Sequence, residues 1–343
     1  MPALTNTNRK ILITGANGYI ASWIVGHLLQ KGYSVCAAVR NESRGAQLLD
    51  TYKSYGSKLQ LIVIGDMQKE GAWDEAVKGV DAIIHTAAQV NLDAIEPKDI
   101  IDPAVRGVLG LLKSAMEYGS SLQRIIYTSS CAAIRSTSPT KVVSVSEADW
   151  NDESVKECEE RGKEASGLAK YAASKTLAER ALWQFYEQHK SQVQWDIVVL
   201  NPPWVFGPNA HTITRPEQMN ESNKFWFNAI VKGEIFGASL LSSPGHGWVD
   251  VRDVAEAHVR ALETLEASGE RIIVSAGSPF VWQDFIDVAN SLSPPPYHIL
   301  TKGVPGGEAF RAVTFVSDKA KRILGIRFRT MEETTRDILR GLE

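Results

Sequence analysis

The sequence predicts an α/β fold in which helices cover both faces of a mostly parallel sheet. From residue 11 to residue 201, apolar runs typical of buried strands alternate with segments whose apolar residues recur at helical spacing. A glycine-rich turn, Gly15-Ala16-Asn17-Gly18, directly follows the first of these runs. Past residue 208 the alternation weakens, which indicates a smaller C-terminal lobe. Together these observations predict a Rossmann-type, doubly wound parallel sheet carrying a smaller lobe that binds substrate.

The predicted strands are short apolar runs bounded by polar residues or turns. They are Ile11–Thr14, Ser34–Val39, Leu59–Ile64, Asp81–Thr86, Arg124–Thr128, Asp196–Asn201, Trp248–Val251 and Ile272–Ser275. The predicted helices show apolar residues at three- and four-residue steps. They are Ile20–Leu29, Pro103–Tyr118, Tyr171–Lys190, Lys224–Val231, a helix capped by Asp253 that ends near Leu265, and Phe280–Leu292. The polar stretch 140–170 is expected to hold a loop and a short helix.

Composition and charge exclude several classes of protein. The chain has 343 residues, 44% apolar and 22% charged, with a net charge of −3, so we expect neither a nucleic-acid nor a membrane partner. Its 3 cysteines are odd in number and far apart, which fits neither a disulfide framework nor a metal site. The first residues lack an apolar signal core, and no run approaches the ~20 apolar residues that cross a bilayer. We therefore expect a cytoplasmic protein, monomeric or homodimeric.

The glycine-rich turn has the order strand, turn, helix that dinucleotide binding requires. Glycine at position 15 allows a tight turn, and glycine at position 18 lets the backbone approach a pyrophosphate. The small Ala21 allows close packing of helix on strand, and the helix N-terminus directs free N–H groups at the phosphates. We expect the cofactor to contact Gly15, Asn17, Gly18, Tyr19 and Ile20.

The end of the second strand predicts the form of the cofactor. An Asp or Glu there would bind the ribose 2′-hydroxyl of NAD, but the sequence offers Arg40, Ser43 and Arg44. An arginine can form a bidentate pair with a 2′-phosphate and stack on adenine. We therefore predict NADPH, and assign residues 1–208 to an NADP-binding domain to which later segments return and 209–343 mainly to the substrate lobe. The alternative for these arginines is a solvated basic loop.

Further cofactor contacts are expected at the ends of the next two strands. Asp66 could accept a hydrogen bond from the adenine amino group with Met67 against the ring, or it could only cap the following turn. Ala87 and Ala88 are small enough for a cofactor to lie against the backbone. His85, inside an apolar strand, is interpreted as a packed residue without a catalytic role.

Ser130, Tyr171 and Lys175 are the candidate catalytic residues. Tyr171 and Lys175 are four residues apart on a predicted helix, so they share a face at about 6 Å. An ammonium and a positive nicotinamide ring would both lower the pKa of Tyr171 from about 10, which suits an acid–base role. Ser130, at a strand end, could donate to a carbonyl oxygen. A second Tyr-x-x-x-Lys pattern, Tyr186 to Lys190, lies about 22 Å further along the helix and is assigned to packing or surface.

Motifs along nearly the whole chain resemble the extended short-chain dehydrogenase/reductase family. They are Gly15–Ala21, Thr128–Ser130, Tyr171–Lys175, Asn201–Pro208, Val249–Val254 and Leu324–Arg329. Within that family the chain is most similar to the fungal NADPH-dependent aldehyde and ketone reductases of the methylglyoxal-reductase type, and more distantly to the dihydroflavonol reductases. The resemblance implies reduction of an aldehyde or ketone with Ser130, Tyr171 and Lys175 as the catalytic triad, Ser130 being preferred over Ser129. It also implies cofactor contacts at Arg40, Arg44, Asp66, Thr86, Pro202 and Val205.

The expected substrate pocket is apolar and departs from the family pattern at two places. Val90 stands where relatives often carry an aromatic residue, and Trp204 stands where they usually carry tyrosine. We place both at the pocket wall together with Cys131 and Trp226, although Trp204 could be only a core residue. The sequence thus predicts an NADPH-dependent carbonyl reductase without a metal. The alternatives are a sugar-nucleotide epimerase or dehydratase on the same scaffold and a non-catalytic NADPH-binding regulator.

Overall fold

A parallel sheet of seven strands forms the centre of the protein in the computed structural model, which describes residues 4, 8–88, 93–135, 142–211, 213, 218–235, 240–241, 246–294 and 300–342. The strands in these ranges are β1 Lys10–Thr14, β2 Ser34–Val39, β3 Leu59–Val63, β4 Ala82–His85, β5 Arg124–Thr128, β6 Val143–Val145, β7 Asp196–Asn201, β8 Trp204–Phe206, β9 His246–Asp250, β10 Arg271–Ile273, β11 Gly277–Phe280 and β12 Val313–Phe315. The helices in these ranges are α1 Tyr19–Gln30, α2 Glu42–Thr51, α3 Lys98–Tyr118, α4 Asp152–Arg161, α5 Gly167–His189, α6 Glu221–Phe227, α7 Val251–Glu263, α8 Trp282–Ser291, α9 Asp318–Leu324 and α10 Met331–Arg340.

The order of the strands places the carboxyl ends of β1 and β4 at a switch point. The central sheet runs β10-β7-β5-β4-β1-β2-β3, and each neighbouring pair is parallel. The chain moves outward from β1 through β2 to β3 and then crosses to β4 on the other side. Ligands of open α/β sheets bind in the crevice beyond such a switch point. The predicted doubly wound α/β class is confirmed.

Side chains of each central strand alternate between two apolar layers. Ile11 and Ile13 of β1 join one buried cluster with residues of α1, α7 and α9, whereas Leu12 joins a second cluster with residues of α3 and α5. This alternation follows from the two-residue period of a strand. Because both faces are covered, the central strands are apolar throughout, as parallel sheets require.

A third buried cluster, which we call the aromatic cluster, lies beside the carboxyl edge of the sheet. Its aromatic members are Phe206, Trp226, Trp248, Phe280, Trp282 and Phe285. A small sheet ordered β11-β9-β8 supports it, together with α8 and α10. A two-stranded parallel sheet joins β6 to β12. Segments beyond residue 208 therefore contribute both to the central sheet, through β10, and to the small sheet, through β9 and β11.

Several predicted helix starts are wrong: α3 begins at Lys98 and not at Pro103, and α6 begins at Glu221 and not at Lys224. For α5 and α7, side-chain capping explains the difference. Helix α5 begins at Gly167, four residues before Tyr171, because the Ser166 side chain accepts a hydrogen bond from the Ala169 N–H at 3.1 Å. Helix α7 is capped by Asp250, which accepts from the Arg252 N–H at 2.8 Å, and not by Asp253. No helix in the described ranges is both long and apolar enough to cross a membrane.

Candidate functional site

The glycine-rich turn between β1 and α1 has the geometry needed to hold a pyrophosphate. Gly15 has φ +62°, and a Cβ there would lie 3.1 Å from the Ala87 Cα, so glycine is required for both conformation and space. Gly18 is the N-cap of α1 and brings no capping side chain to the free N–H groups. The first turn of α1 carries no acidic residue that would repel a phosphate. The turn therefore fits the cofactor predicted for it.

A hydrogen-bond network around Thr14 fixes the neighbouring end of β4. The Thr14 hydroxyl accepts from the N–H groups of Thr86 and Ala87 at 3.1 and 3.0 Å. The same hydroxyl lies 2.8 Å from Nδ1 of His85, whose pKa burial lowers to about 3. His85 is 2% exposed and stacks on Tyr127. The interpretation of His85 as a packed residue is confirmed, and its hydrogen bond with Thr14 joins it to the network beside Gly15.

One cavity of about 420 Å³, which we call the main cavity, opens at the carboxyl ends of β1, β4, β5 and β7. It brings together most of the predicted site residues. These are Gly15, Gly18, Tyr19, Ile20, Thr86, Ala88, Ser130, Cys131, Tyr171, Lys175, Pro202, Trp204 and Val205. Trp226 is absent from its lining, since that side chain is fully buried in the aromatic cluster. Val90 lies outside the described residues.

The remaining predicted cofactor residues lie toward β2 and β3. Asn17, Tyr19 and Arg44 line a second cavity of about 410 Å³. Arg40 is exposed just past β2. Asp66 accepts a hydrogen bond from the Gln68 N–H at 3.0 Å, so it does cap the following turn. Met67 packs against α3: its Cε lies so close to Gly107 that a Cβ at position 107 would collide with it.

Adjacent serines at the end of β5 differ in their environment. The Ser129 side chain is 3% exposed and donates to Oε2 of Glu179 at 2.5 Å. The Ser130 hydroxyl accepts from the Ala132 N–H at 3.1 Å and lines the main cavity together with Tyr171. Successive residues of a strand point to opposite sides, which separates their roles. The geometry therefore favours Ser130 as the serine that meets a substrate.

The pKa of Tyr171 in this structure differs from the expectation. Burial raises the pKa of Tyr171 above its ordinary value, and the neighbouring Ser130 hydroxyl opposes that rise. The pKa of Lys175 is lowered to about 8, because desolvation outweighs the charge of Glu179. The predicted lowering of the Tyr171 pKa by Lys175 is therefore not found in the protein alone, where burial dominates. A protonated phenol beside a buried ammonium is the resting arrangement at neutral pH.

Glu179 is a buried site residue that the sequence analysis missed. It is fully buried one helical turn past Lys175, and it forms an ion pair with Nε of Arg271. Its Oε2 also accepts from the Asn201 side chain at 2.9 Å. Arg271 in turn stacks over the Trp150 ring at 3.8 Å from its centre. The four-residue steps from Tyr171 through Lys175 to Glu179 were the available signal, since they place all three along one side of α5.

The packing of Tyr186 and Trp204 bears on two further predictions from the sequence. Tyr186 stacks on Trp195 at 5.8 Å between ring centres and packs against the cluster that includes α3, so its assignment to packing is confirmed. Trp204 lines the main cavity and also packs on the aromatic cluster, with its ring 5.5 Å from Phe225 and 6.1 Å from Trp282. The Trp204 side chain is thus both a wall residue of the main cavity and a packing residue of the aromatic cluster.

Comparisons with known proteins agree with this geometry. The model of the NAD dependent epimerase/dehydratase family matches residues 11–277. A ketoreductase of Aspergillus niger is 33% identical, covering 97% of both chains, and the NADPH-dependent methylglyoxal reductase of Saccharomyces cerevisiae is 31% identical, covering 96% of both. The crystal structure of yeast methylglyoxal/isovaleraldehyde reductase with NADPH has a TM-score of 0.81 at 28% identity, covering 97% of this chain and 98% of that one. The predicted resemblance is confirmed, and the chain belongs to the NAD dependent epimerase/dehydratase family.

Proposed function

We propose that the protein is an NADPH-dependent carbonyl reductase that converts an aldehyde or ketone to the alcohol. The observation that carries the proposal is the meeting of Ser130, Tyr171 and Lys175 in the main cavity beside the Gly15 turn. The relative that is 33% identical is named a ketoreductase, and the relative that is 31% identical is named an NADPH-dependent methylglyoxal reductase. Both are similar to this chain over nearly its whole length. Together these support reduction over the epimerase, dehydratase and regulator alternatives.

The cofactor fits the residues that surround its proposed position. The glycine-rich turn and the N-terminus of α1 would hold the pyrophosphate, and Lys175 would bind the nicotinamide ribose. Arg40 and Arg44 follow β2, are exposed, and form no ion pair with any described residue. They would hold the 2′-phosphate. When bound, NADPH supplies the hydride.

Tyr171 acts as the proton donor in this proposal. Its raised pKa keeps the phenol protonated at neutral pH, so that the proton leaves only when the carbonyl oxygen gains negative charge. Ser130 donates a hydrogen bond to the same oxygen and orients it toward Tyr171. The Lys175 ammonium, still the major form below its pKa of about 8, stabilises the phenolate that remains and so lowers the free energy of proton donation.

The experiment compares the two tyrosines of α5 that precede a lysine by four residues. Tyr171→Phe removes only the hydroxyl, so NADPH binding should persist while turnover falls about 100-fold or more. Tyr186→Phe is the matched control on the same helix, and its turnover should stay within about twofold. The assay follows NADPH absorbance with a panel of aldehydes, ketoesters and diketones, while binding is measured by quenching of tryptophan fluorescence.

The results separate the proposal from its alternatives. An active Tyr171→Phe variant, or an inactive Tyr186→Phe variant, would place the chemistry elsewhere. NADPH binding without oxidation by any carbonyl compound would favour the regulator. Conversion of a sugar nucleotide without net NADPH consumption would favour the epimerase.

A further inference from the structure

Arg135 is a buried arginine at the main cavity whose guanidinium lacks the partners that a buried cation requires. Its side chain is 8% exposed and lines the cavity. Its Nε and Nη1 are enclosed, and neither has a hydrogen-bond partner among the described residues. Burial lowers the pKa of Arg135 to about 10, so the guanidinium remains charged at neutral pH.

Two other buried arginines in the described ranges show what a structural arginine looks like in this protein. Arg124 forms a bidentate pair with Asp196 and donates to the Ala261 and Thr264 carbonyls. Arg271 pairs with Glu179 and donates to backbone carbonyls. Both are satisfied on all sides by the fold itself. Arg135 is not, and a buried unpaired charge is costly unless a partner arrives.

The charges around the main cavity favour an anion as that partner. Two cationic side chains, Arg135 and Lys175, line it. The acidic residue in its lining, Glu221, is exposed and already paired with Lys224 at 2.8 Å. The charge of Glu153, an exposed residue of α4, raises the pKa of Arg135, but burial lowers that pKa by more.

We propose that Arg135 binds a carboxylate of the substrate, so that the preferred substrates are oxo acids rather than neutral carbonyl compounds. The guanidinium can donate a charge-assisted hydrogen bond to a carboxylate, which also fixes the orientation of the substrate. Arg135 follows Ser130 by five residues on the loop after β5, so both ends of one small substrate would be held from the same loop. The inference rests on the proposed reductase function and adds the chemical class of its substrate.

The test measures kcat/KM for NADPH oxidation with benzoylformate and with its methyl ester, in which a methyl group replaces the negative charge, and compares the ratio of the two between variants. The unaltered protein should prefer the acid. Arg135→Gln should lower kcat/KM for the acid by roughly 10- to 150-fold, the value of a charge-assisted hydrogen bond, and leave the ester within about threefold. Arg135→Lys keeps the charge without the planar fork, so it should retain part of the preference. Arg161→Gln, at an exposed arginine of α4, is the matched control and should leave the ratio of acid to ester unchanged.

A second measurement needs no turnover. Calorimetric titration with benzoate should show binding to the unaltered protein in the presence of NADP+ and no binding to Arg135→Gln, while benzamide should not distinguish the two. If the ester is preferred by the unaltered protein, or if the ratio of acid to ester is the same in Arg135→Gln, the carboxylate role is refuted while the reductase function stands. If neither the acid, the ester nor any neutral aldehyde is reduced, the proposed function itself fails. An Arg135→Gln variant that does not fold leaves Arg135→Lys and the acid–ester comparison to decide.

Discussion

Glu179→Gln removes a buried charge without changing the shape of the side chain. The carboxylate accepts hydrogen bonds from Arg271, Ser129 and Asn201. The amide of glutamine has an N–H₂ group in place of one oxygen, so one of these donors would face another donor. Removing one partner of a buried ion pair costs about 3–5 kcal/mol. With an unfolding entropy of about 0.7 kcal/mol/K for 343 residues, Tm should fall by about 4–7 °C.

The same substitution should move the pH profile of turnover. Glu179 raises the pKa of Lys175 against the larger effect of desolvation, which leaves that pKa at about 8. Without Glu179 the pKa of Lys175 falls further, so the ammonium is lost at lower pH and the alkaline limb of kcat/KM shifts toward acid. Calorimetry and a pH series of initial rates measure the two effects.

Glu187→Gln is the matched control for this prediction. Glu187 lies on the same helix, and its side chain is 59% exposed in its pair with Lys190. Such a surface pair contributes at most about 1 kcal/mol, so Tm should fall by no more than about 1–2 °C and the pH profile should not move. The reasoning is refuted if Glu179→Gln behaves like the control. A lower Tm with an unshifted alkaline limb would leave Glu179 a structural residue only.

Further predictions concern cofactor choice, the cavity wall and acid stability. Arg40→Asp should weaken NADPH binding by about 10- to 150-fold and spare NADH, as measured by kcat/KM with each cofactor, whereas equal efficiency of the unaltered protein with both would contradict the 2′-phosphate role. Trp204→Ala should lower unfolding free energy by about 3–5 kcal/mol and shift relative kcat/KM toward bulkier ketones, and a uniform loss on all ketones would make Trp204 a core residue alone. Burial lowers the pKa of His85 to about 3 and of His258 to about 4, so their stabilisation is complete above about pH 6.5 and is lost progressively as pH falls from there through the folded pKa. Between pH 7 and 5 each histidine should lower the free energy of unfolding by about 2 kcal/mol. Over the same interval, the free energy of unfolding of His258→Gln, measured with denaturant, should therefore fall by about 2 kcal/mol less than that of the unaltered protein.

The sequence predicts the central sheet well because its strands are apolar runs with polar ends. Ser34–Val39, Arg124–Thr128 and Asp196–Asn201 are observed with the bounds expected. Helix boundaries are less accessible, since a cap depends on which of several polar side chains turns back toward the backbone. The start of α5 at Gly167, after the N-cap Ser166, was hidden in a polar stretch for this reason. The aromatic cluster likewise takes Trp226 away from the main cavity, because aromatic residues favour a core and a pocket equally.

Contacts between site residues that lie far apart in the chain could not be predicted from spacing. Gly15, Ser130 and Lys175 follow motif positions and reach the main cavity as expected. Glu179 gains its significance from Arg271, a residue 92 positions away, and no local pattern joins the two. Arg135 is notable only through the partners it lacks, which is a property of the folded chain.

Pairing of β6 with β12 has a consequence for synthesis of the chain. The strand ending at residue 145 must wait for residues 313–315, which the ribosome adds roughly 10 to 30 s later at ~5–20 residues per second. Phe315 of β12 also lines the main cavity. We expect the nascent chain to form its central sheet first, while the edge of β6 stays open to chaperones and the cavity lacks one wall. Competence to bind substrate should therefore arise abruptly, only when the last part of the chain is released.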